Sequence, residues 1–149
     1  MMSGEGVFVE DAMTKNVVTV EESTPIRNAV KKMDETNVGS ILVTKNDEPV
    51  GIITERDFVR RYAVMGISLS KPVEDIMTSP LITVDPSDTI WEAAELMKTH
   101  QIHKLPVIKN RKLIGIITNS DLVKLCSQSS DLEMRKICDE IITRTIDQN

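Results

Sequence analysis

The feature that most constrains the fold of this chain is an internal duplication. Residues 51–57 read GIITERD, and residues 115–121, which lie 64 positions later, read GIITNSD. The likeness extends without a gap over residues 9–62 and 73–126, where about 20 of the roughly 54 paired positions are identical. Residues 63–72 join the two copies. A duplication of this length predicts one arrangement of strands and helices that is built twice.

The first copy contains a regular succession of strand and helix signals. The β-branched stretch Val17 to Val20 predicts a short strand. The segment Ser23-Thr24-Pro25 is typical of a helix start, because a side-chain oxygen caps the first turn and proline fits there. Two strands joined by the polar turn Lys45-Asn46-Asp47 predict a hairpin, and a second helix begins at the GIIT motif. The apolar positions of the first helix are Ile26, Ala29, Val30 and Met33. The two hairpin strands are residues 41–44 and 50–54.

The second copy repeats this order. Its strand signal is Leu81 to Val84, its helix start is Pro86-Ser87-Asp88, and its turn is Lys109-Asn110-Arg111. The matching apolar helix positions are Ile90, Ala93, Ala94 and Met97. The matching hairpin strands are residues 105–108 and 113–118. A unit of this size cannot cover both faces of its sheet alone, so the two copies are expected to cover each other. The predicted fold is therefore α/β (α+β), with two β-α-β-β-α repeats packed sheet to sheet about a pseudo-two-fold axis.

This fold divides the chain into five segments. The predicted segments are an N-terminal lead-in (1–8), the first repeat (9–62), a linker (63–72), the second repeat (73–126) and a C-terminal helix (127–149). In the last segment, Ser130 and Glu133 fit a capping box. An apolar stripe follows, which consists of Met134, Ile137, Cys138, Ile141 and Ile142. Such a stripe predicts that the helix covers either its own domain or a second subunit.

Composition narrows the classes of partner. The net charge is -5 and aromatic residues make up 3% of the chain, so a basic surface with stacking aromatics is absent and nucleic acid is not expected as the main partner. No apolar run approaches the roughly 20 residues that a membrane span needs. The N-terminus MMSGEGVFVED does not resemble a signal peptide. The sequence therefore predicts a cytoplasmic protein without a membrane partner.

The residues that most often carry catalysis or bind metals form no recognisable set. Cys126 and Cys138 lie 12 positions apart without a CxxC motif and are expected to be reduced, packed thiols. His100 and His103 fit one face of a helical turn, but a zinc site needs further ligands nearby, so no metal is predicted. No carboxylate pair or Cys/His dyad stands out, so no catalytic residue is assigned and the chain is not expected to be an enzyme.

Both copies end their last strand on a threonine that is followed three positions later by an aspartate. Thr54-x-x-Asp57 and Thr118-x-x-Asp121 fit a capping box in which aspartate replaces the usual glutamate. The same residues suit a nucleoside phosphate, because a helix N-terminus attracts anions and a carboxylate there accepts hydrogen bonds from ribose hydroxyls. The residues alone favour capping and leave the binding interpretation open.

The chain resembles the cystathionine-β-synthase (CBS) domain family in its tandem form, the Bateman module. The resemblance covers residues 9–126 and rests on the openings VEDAMT and VEDIMT, on the strand IHKLPVI with its counterpart NVGSILV, and on two endings of the pattern G-h-h-T-x-x-D, where h is apolar. It implies a regulatory module that binds adenosine compounds such as AMP, ADP, ATP, S-adenosylmethionine or NAD, with no obligatory cofactor.

The resemblance also implies two nucleotide clefts, each formed by both repeats. The ribose-binding aspartates of the family fall on Asp57 and Asp121, and the opposite repeat holds the adenine. The first cleft would combine Thr54, Arg56 and Asp57 with Ile82, Ile102, His103 and Lys104. The second cleft would combine Thr118, Ser120 and Asp121 with Thr14, Val18, Gly39 and Ser40. The basic residues of the first cleft are expected to favour phosphate. One departure from the family pattern is Leu42, where the second copy has Pro106.

Two hypotheses of function remain. The leading one is a sensor that binds an adenosine nucleotide, works as a homodimer and signals to an unknown regulated protein by conformational change. The rival is an interaction or scaffold protein that keeps the fold with empty clefts. The threonine and aspartate present in both copies favour the sensor.

Overall fold

The computed structural model of the protein describes residues 7–127 and, near the C-terminus, Leu132, Arg135, Lys136, Cys138 and Asp139. The chain forms two compact units. The contiguous unit is Asn16–Leu81, and the discontinuous unit joins Met1–Lys15 to Ile82–Asn149. Most of the predicted C-terminal capping box and apolar stripe lies outside the described residues, namely Ser130, Glu133, Met134, Ile137, Ile141 and Ile142.

The elements follow the predicted order closely. The helices are α1 (Val9–Ala12), α2 (Ile26–Thr36), α3 (Glu55–Phe58), α4 (Ile90–His100) and α5 (Asn119–Ser127). The strands are β1 (Thr19–Glu21), β2 (Ser40–Lys45), β3 (Glu48–Thr54), β4 (Lys104–Lys109) and β5 (Lys112–Thr118). A π-helix, Val59–Val64, continues α3, and a 3₁₀-helix spans Val73–Asp75. The α+β class with two small sheets is therefore confirmed.

The contiguous unit contains a three-stranded sheet in the order β1-β2-β3, with β1 parallel to β2 and β2 antiparallel to β3. The turn between β2 and β3 places Asn46 and Asp47 at φ angles of 51° and 66°, the left-handed pair that a tight two-residue hairpin requires. The apolar face of α2 packs on this sheet, as its three- and four-residue spacing predicts. The buried core consists of Ile26, Ala29, Met33, Ile41, Val43, Ile53, Val73 and Ile76.

The discontinuous unit has the antiparallel hairpin β4-β5, but the predicted strand Leu81–Val84 is wrong. Only Val84 pairs with β4, through a single parallel bridge to Val107. In the first copy, Leu42 donates its backbone N–H to Val18 and extends the pairing. Pro106 occupies the place of Leu42 and has no N–H to donate, so the corresponding strand cannot form. The buried core consists of Val9, Val84, Ile90, Ala93, Ala94, Met97, Leu105, Val107, Ile117 and Leu122.

Each unit contains the segment that opens the other sequence copy. Thr14, from the opening VEDAMT of the first copy, exchanges backbone hydrogen bonds of 2.8 and 2.9 Å with Ile116 on β5. Thr78, from VEDIMT of the second copy, exchanges bonds of 2.9 and 3.1 Å with Ile52 on β3. The sequence repeat and the compact unit are therefore offset along the chain.

The predicted helix caps need correction. Pro25 occupies the N-cap of α2 and no side chain caps it. Backbone carbonyls of the linker instead accept the first N–H groups, with Ile26 donating to Lys71 at 2.8 Å and Arg27 donating to Leu69 at 3.0 Å. In the second copy, α4 is capped by the Thr89 hydroxyl, and the predicted cap Pro86-Ser87-Asp88 lies in the turn before it. Long-range backbone contacts thus replace a local capping signal in the first copy.

The cysteines are not free thiols, contrary to the expectation from their spacing. Cys126 in the last turn of α5 is joined to Cys138 by a disulfide with a Cα–Cα distance of 5.7 Å, which lies within the range that disulfides need. Cys138 is itself helical, and the bond places it next to the end of α5. Sequence spacing without a CxxC motif could not show this proximity, because it depends on the fold of the C-terminal segment.

Candidate functional site

In the contiguous unit, Thr54 and Asp57 form a closed capping box where β3 ends and α3 begins. The backbone N–H of Asp57 donates to the Thr54 hydroxyl at 3.2 Å. Oδ2 of Asp57 in turn accepts from the Thr54 N–H at 3.0 Å and from its hydroxyl at 3.1 Å. The other carboxylate oxygen, Oδ1, has no hydrogen-bond partner among the described residues. The box therefore orients a carboxylate with one acceptor oxygen still open.

The discontinuous unit builds the same box from Thr118 and Asp121. The Asp121 N–H donates to the Thr118 hydroxyl at 3.1 Å, and the Thr118 N–H donates to Asp121 Oδ2 at 3.0 Å. Here Oδ1 is also engaged, because the hydroxyl of Thr14 donates to it at 3.3 Å. The structure thus brings together Thr14, Thr118 and Asp121, which were predicted to belong to one cleft. The capping interpretation of both motifs is confirmed.

The hairpins place further predicted site residues beside each box. In the contiguous unit, Ser40 pairs with Thr54, and the carbonyl of Gly39 accepts from the N–H of Glu55 at 3.1 Å. The predicted second-cleft residue Val18 belongs to the same unit and packs against its core. Residues at the start of the first hairpin strand therefore lie next to the helix that carries the carboxylate.

The second hairpin repeats this arrangement with different side chains. Lys104 pairs with Thr118, and the N–H of Asn119 donates to the carbonyl of His103 at 2.9 Å. The side-chain amide of Asn119 also contacts Nδ1 of His103, while its Oδ1 is buried and has no hydrogen-bond partner within the described part of the chain. The hairpin register sets Asn119, which the sequence places in the Asp121 cleft, opposite His103. Ile102 packs against the core of this unit.

The two remaining predicted residues on the helix starts, Arg56 and Ser120, are exposed. Ile82 is partly buried against the core of the discontinuous unit. The predicted clefts combine residues that belong to the two different units, such as Asp57 with His103 and Lys104. These groupings stay predictions.

A cavity of about 400 Å³ lies beside the first box rather than at it. It shares Gly39 with the predicted site and includes Glu55, but neither Thr54 nor Asp57 lines it. Its other walls come from α2 and α3 and from the residues that directly follow each of these helices. These lining residues are Val30, Met33, Asp34, Asn37, Val38, Phe58 and Val59. Because neither Thr54 nor Asp57 lines the cavity, the open carboxylate oxygen of Asp57 is not part of its wall.

Metal binding and membrane insertion are two further possibilities for the described part of the chain. No set of three or more His, Cys, Asp or Glu side chains is arranged to hold a metal ion there. No described helix combines the length and the apolar character that a membrane span requires.

The geometry defines a protein with two similar α+β units, each of which places a threonine–aspartate box at the end of a hairpin. The model of the CBS domain family matches residues 9–64 and 73–128, and the chain belongs to that family as a tandem pair of CBS domains. The CBS domain-containing protein YhcV of Bacillus subtilis is 34% identical over 114 residues, which cover 76% of this chain and 81% of YhcV.

Solved structures agree with this assignment. The crystal structure of an uncharacterized conserved protein from Pyrococcus horikoshii is similar with a TM-score of 0.76 at 34% identity, over 84% of this chain and 94% of that chain. The CBS domain pair of protein MJ0100 is similar with a TM-score of 0.74 at 27% identity, over 82% of this chain and 97% of that chain. That pair was crystallised in complex with 5′-methylthioadenosine and S-adenosyl-L-methionine.

Proposed function

We propose that this chain is a regulatory module that binds an adenosine compound of the AMP, ADP or ATP class and signals to a partner protein by conformational change. Its membership of the CBS family supports this proposal, as does the binding of adenosine-derived ligands by the MJ0100 pair. S-adenosylmethionine and NAD are further candidates within the same chemical class.

The open oxygen of Asp57 is the observation that carries this proposal. The capping box holds Oδ2 by two hydrogen bonds, so the carboxylate keeps one orientation without a ligand. The free Oδ1 provides an acceptor for the hydroxyls of a ribose, and the exposed Arg56 adds a positive charge one residue away. A fixed carboxylate beside a cation suits a molecule that carries both a diol and a phosphate.

The two boxes are proposed to differ in affinity. At Asp121, a ribose hydroxyl must compete with Thr14 for Oδ1, whereas at Asp57 the corresponding oxygen is open. The proposed Asp57 site is completed by Ile82, Ile102, His103 and Lys104, and the proposed Asp121 site by Val18, Gly39 and Ser40. We therefore expect tighter nucleotide binding at Asp57.

Asp57→Asn is expected to weaken nucleotide binding at the tighter site about ten- to a hundredfold. The amide keeps the shape of the carboxylate but removes its charge, and a hydrogen bond to a charged group contributes about 1.5–3 kcal/mol. Calorimetric titration with AMP, ADP, ATP, S-adenosylmethionine and 5′-methylthioadenosine measures the effect. Asp121→Asn should affect a separate, weaker site.

Asp47→Asn is the matched control for this experiment. It removes the same charge from the turn between β2 and β3, where asparagine tolerates the left-handed backbone conformation. Its affinity should equal that of the parent. Unchanged affinity in both the Asp57 and Asp121 variants would rule out the ribose assignment. If no compound of the panel binds or raises the melting temperature of the parent, the scaffold hypothesis replaces the sensor.

Homodimer formation is the second part of the proposal. Three large apolar side chains, Tyr62, Val64 and Met65, are exposed at the end of the π-helix and the start of the linker, and exposed apolar patches favour association. Light scattering at micromolar concentration is expected to give about twice the chain mass of 16.7 kDa. A mass that stays at that of one chain would contradict this part of the proposal alone.

A further inference from the structure

The disulfide between Cys126 and Cys138 attaches the C-terminal segment to α5. Cys126 lies in the last turn of α5, whose first turn carries Asp121. Cys138 is helical and its side chain is buried, with 5% of its surface exposed, whereas Cys126 is only partly buried. A covalent bond thus anchors the end of the helix that begins at the candidate site.

The first repeat anchors the corresponding helix in a different way. Tyr62 occupies the position that matches Cys126, and its ring stacks on Phe58 with a centroid distance of 5.4 Å and an interplanar angle of 8°. Phe58 in turn packs against the core of the contiguous unit. The two repeats therefore hold the same helix position by an aromatic stack in one case and by a disulfide in the other. Only the second kind of anchor responds to reductants.

We infer that Cys126 and Cys138 form a thiol–disulfide exchange site whose substrate is a dithiol reductant and whose product is a chain in which α5 is no longer bonded to Cys138. The inference rests on the joined sulfurs, on their unequal exposure and on the place of Cys126 at the end of α5. It does not depend on the proposed nucleotide binding.

The sulfur of the more exposed residue, Cys126, is the entry point for exchange. A thiolate of the reductant attacks Sγ of Cys126, a new sulfur–sulfur bond forms there, and Cys138 leaves as a thiolate. The second thiolate of the reductant then attacks the reductant's own sulfur in the mixed disulfide, which releases Cys126 as a thiolate. Two electrons pass to the protein, the reductant becomes a disulfide, and the two protein thiolates take up the protons that the reductant lost.

Reduction should loosen one helix and leave its counterpart unchanged. Without the bond to Cys138, the last turn of α5 loses a covalent anchor, whereas the Phe58–Tyr62 stack is insensitive to thiols. Backbone amides of residues 122–127 should therefore open more often. The matching residues 58–63 provide an internal control in the same molecule.

Hydrogen exchange of the full chain, followed by mass spectrometry in oxidised and in reduced dithiothreitol, tests the inference. Reduction is expected to abolish much of the protection of residues 122–127 and to leave that of residues 58–63 unchanged. Peptide mapping without reductant should recover Cys126 and Cys138 in one crosslinked pair. The Cys126→Ser, Cys138→Ser double variant should exchange like the reduced parent in both buffers.

Two results would overturn the inference. One is that both cysteines of the parent react with an alkylating agent after incubation in oxidised dithiothreitol, because the disulfide then does not form. The other is that the disulfide forms but its reduction leaves exchange in residues 122–127 unchanged, because it then does not anchor the helix.

Discussion

Gly115→Ala is expected to destabilise the protein by about 2–4 kcal/mol, through overpacking and the loss of a hydrogen bond. A Cβ atom at this position would lie 2.6 Å from Sδ of Met13 and 2.9 Å from the carbonyl oxygen of Thr14. That oxygen accepts the N–H of Ile116 at 2.9 Å, so it cannot move without breaking the bridge between the VEDAMT segment and β5. Urea unfolding monitored by circular dichroism measures the loss.

Gly51→Ala is the matched comparison, because this glycine holds the same place in the first repeat. The atoms nearest to its added Cβ all belong to the side chain of Met77, including Cγ at 2.8 Å. A flexible side chain can turn away, so the expected cost is smaller, about 1 kcal/mol. Adding Met77→Ala should recover part of this loss, whereas adding Met13→Ala to the Gly115 variant should recover little. Equal losses and equal recovery in the two repeats would contradict the prediction.

Ile76→Ala is expected to lower the free energy of unfolding by about 2–5 kcal/mol, the usual cost of removing most of a buried aliphatic side chain. Ile76 opens the second sequence copy, yet it is 2% exposed within the core of the contiguous unit. The damage should therefore appear in Asn16–Leu81 and not in the unit that contains the rest of the second copy. Hydrogen exchange resolved by peptide locates it.

Val59→Ala is the control for this substitution, because Val59 is 55% exposed and its loss should change stability by less than about 0.5 kcal/mol. If Ile76→Ala instead accelerates hydrogen exchange mainly in residues 82–127, the opening VEDIMT of the second copy does not stabilise the contiguous unit. The offset between sequence repeat and compact unit would then be wrong.

Local patterns carried most of the fold prediction. The helix face of Ile26, Ala29 and Met33 and the two hairpins with their polar turns are set by side-chain periodicity and by turn residues, which the sequence displays directly. The strand Leu81–Val84 failed for a reason that is also local, because Pro106 sits at the position where its partner must donate.

The features that the sequence did not reveal depend on residues far apart in the chain. The N-terminus of α2 is capped by carbonyls of the linker, such as that of Lys71, and not by its own Ser23 or Thr24. At the candidate site, both capping boxes were predicted because threonine and aspartate are three positions apart. The hydrogen bond from the Thr14 hydroxyl to Asp121, which makes the two boxes unequal, could not be predicted. Nothing in the local pattern shows which carboxylate oxygen would accept it.

Each unit contains the opening segment of the other sequence copy, and this affects the order in which the two units can fold during synthesis. The contiguous unit is a single stretch, so all of its residues have been made once Leu81 is added. The discontinuous unit cannot close until Thr14 meets Asp121, which lies 107 positions later. Contacts between distant residues form slowly when the intervening chain is flexible, but a contiguous unit that has already folded shortens the loop to be closed. During synthesis, the folded contiguous unit is therefore expected to act as the spacer that brings residues 7–15 to β5 and α5 once these have been made.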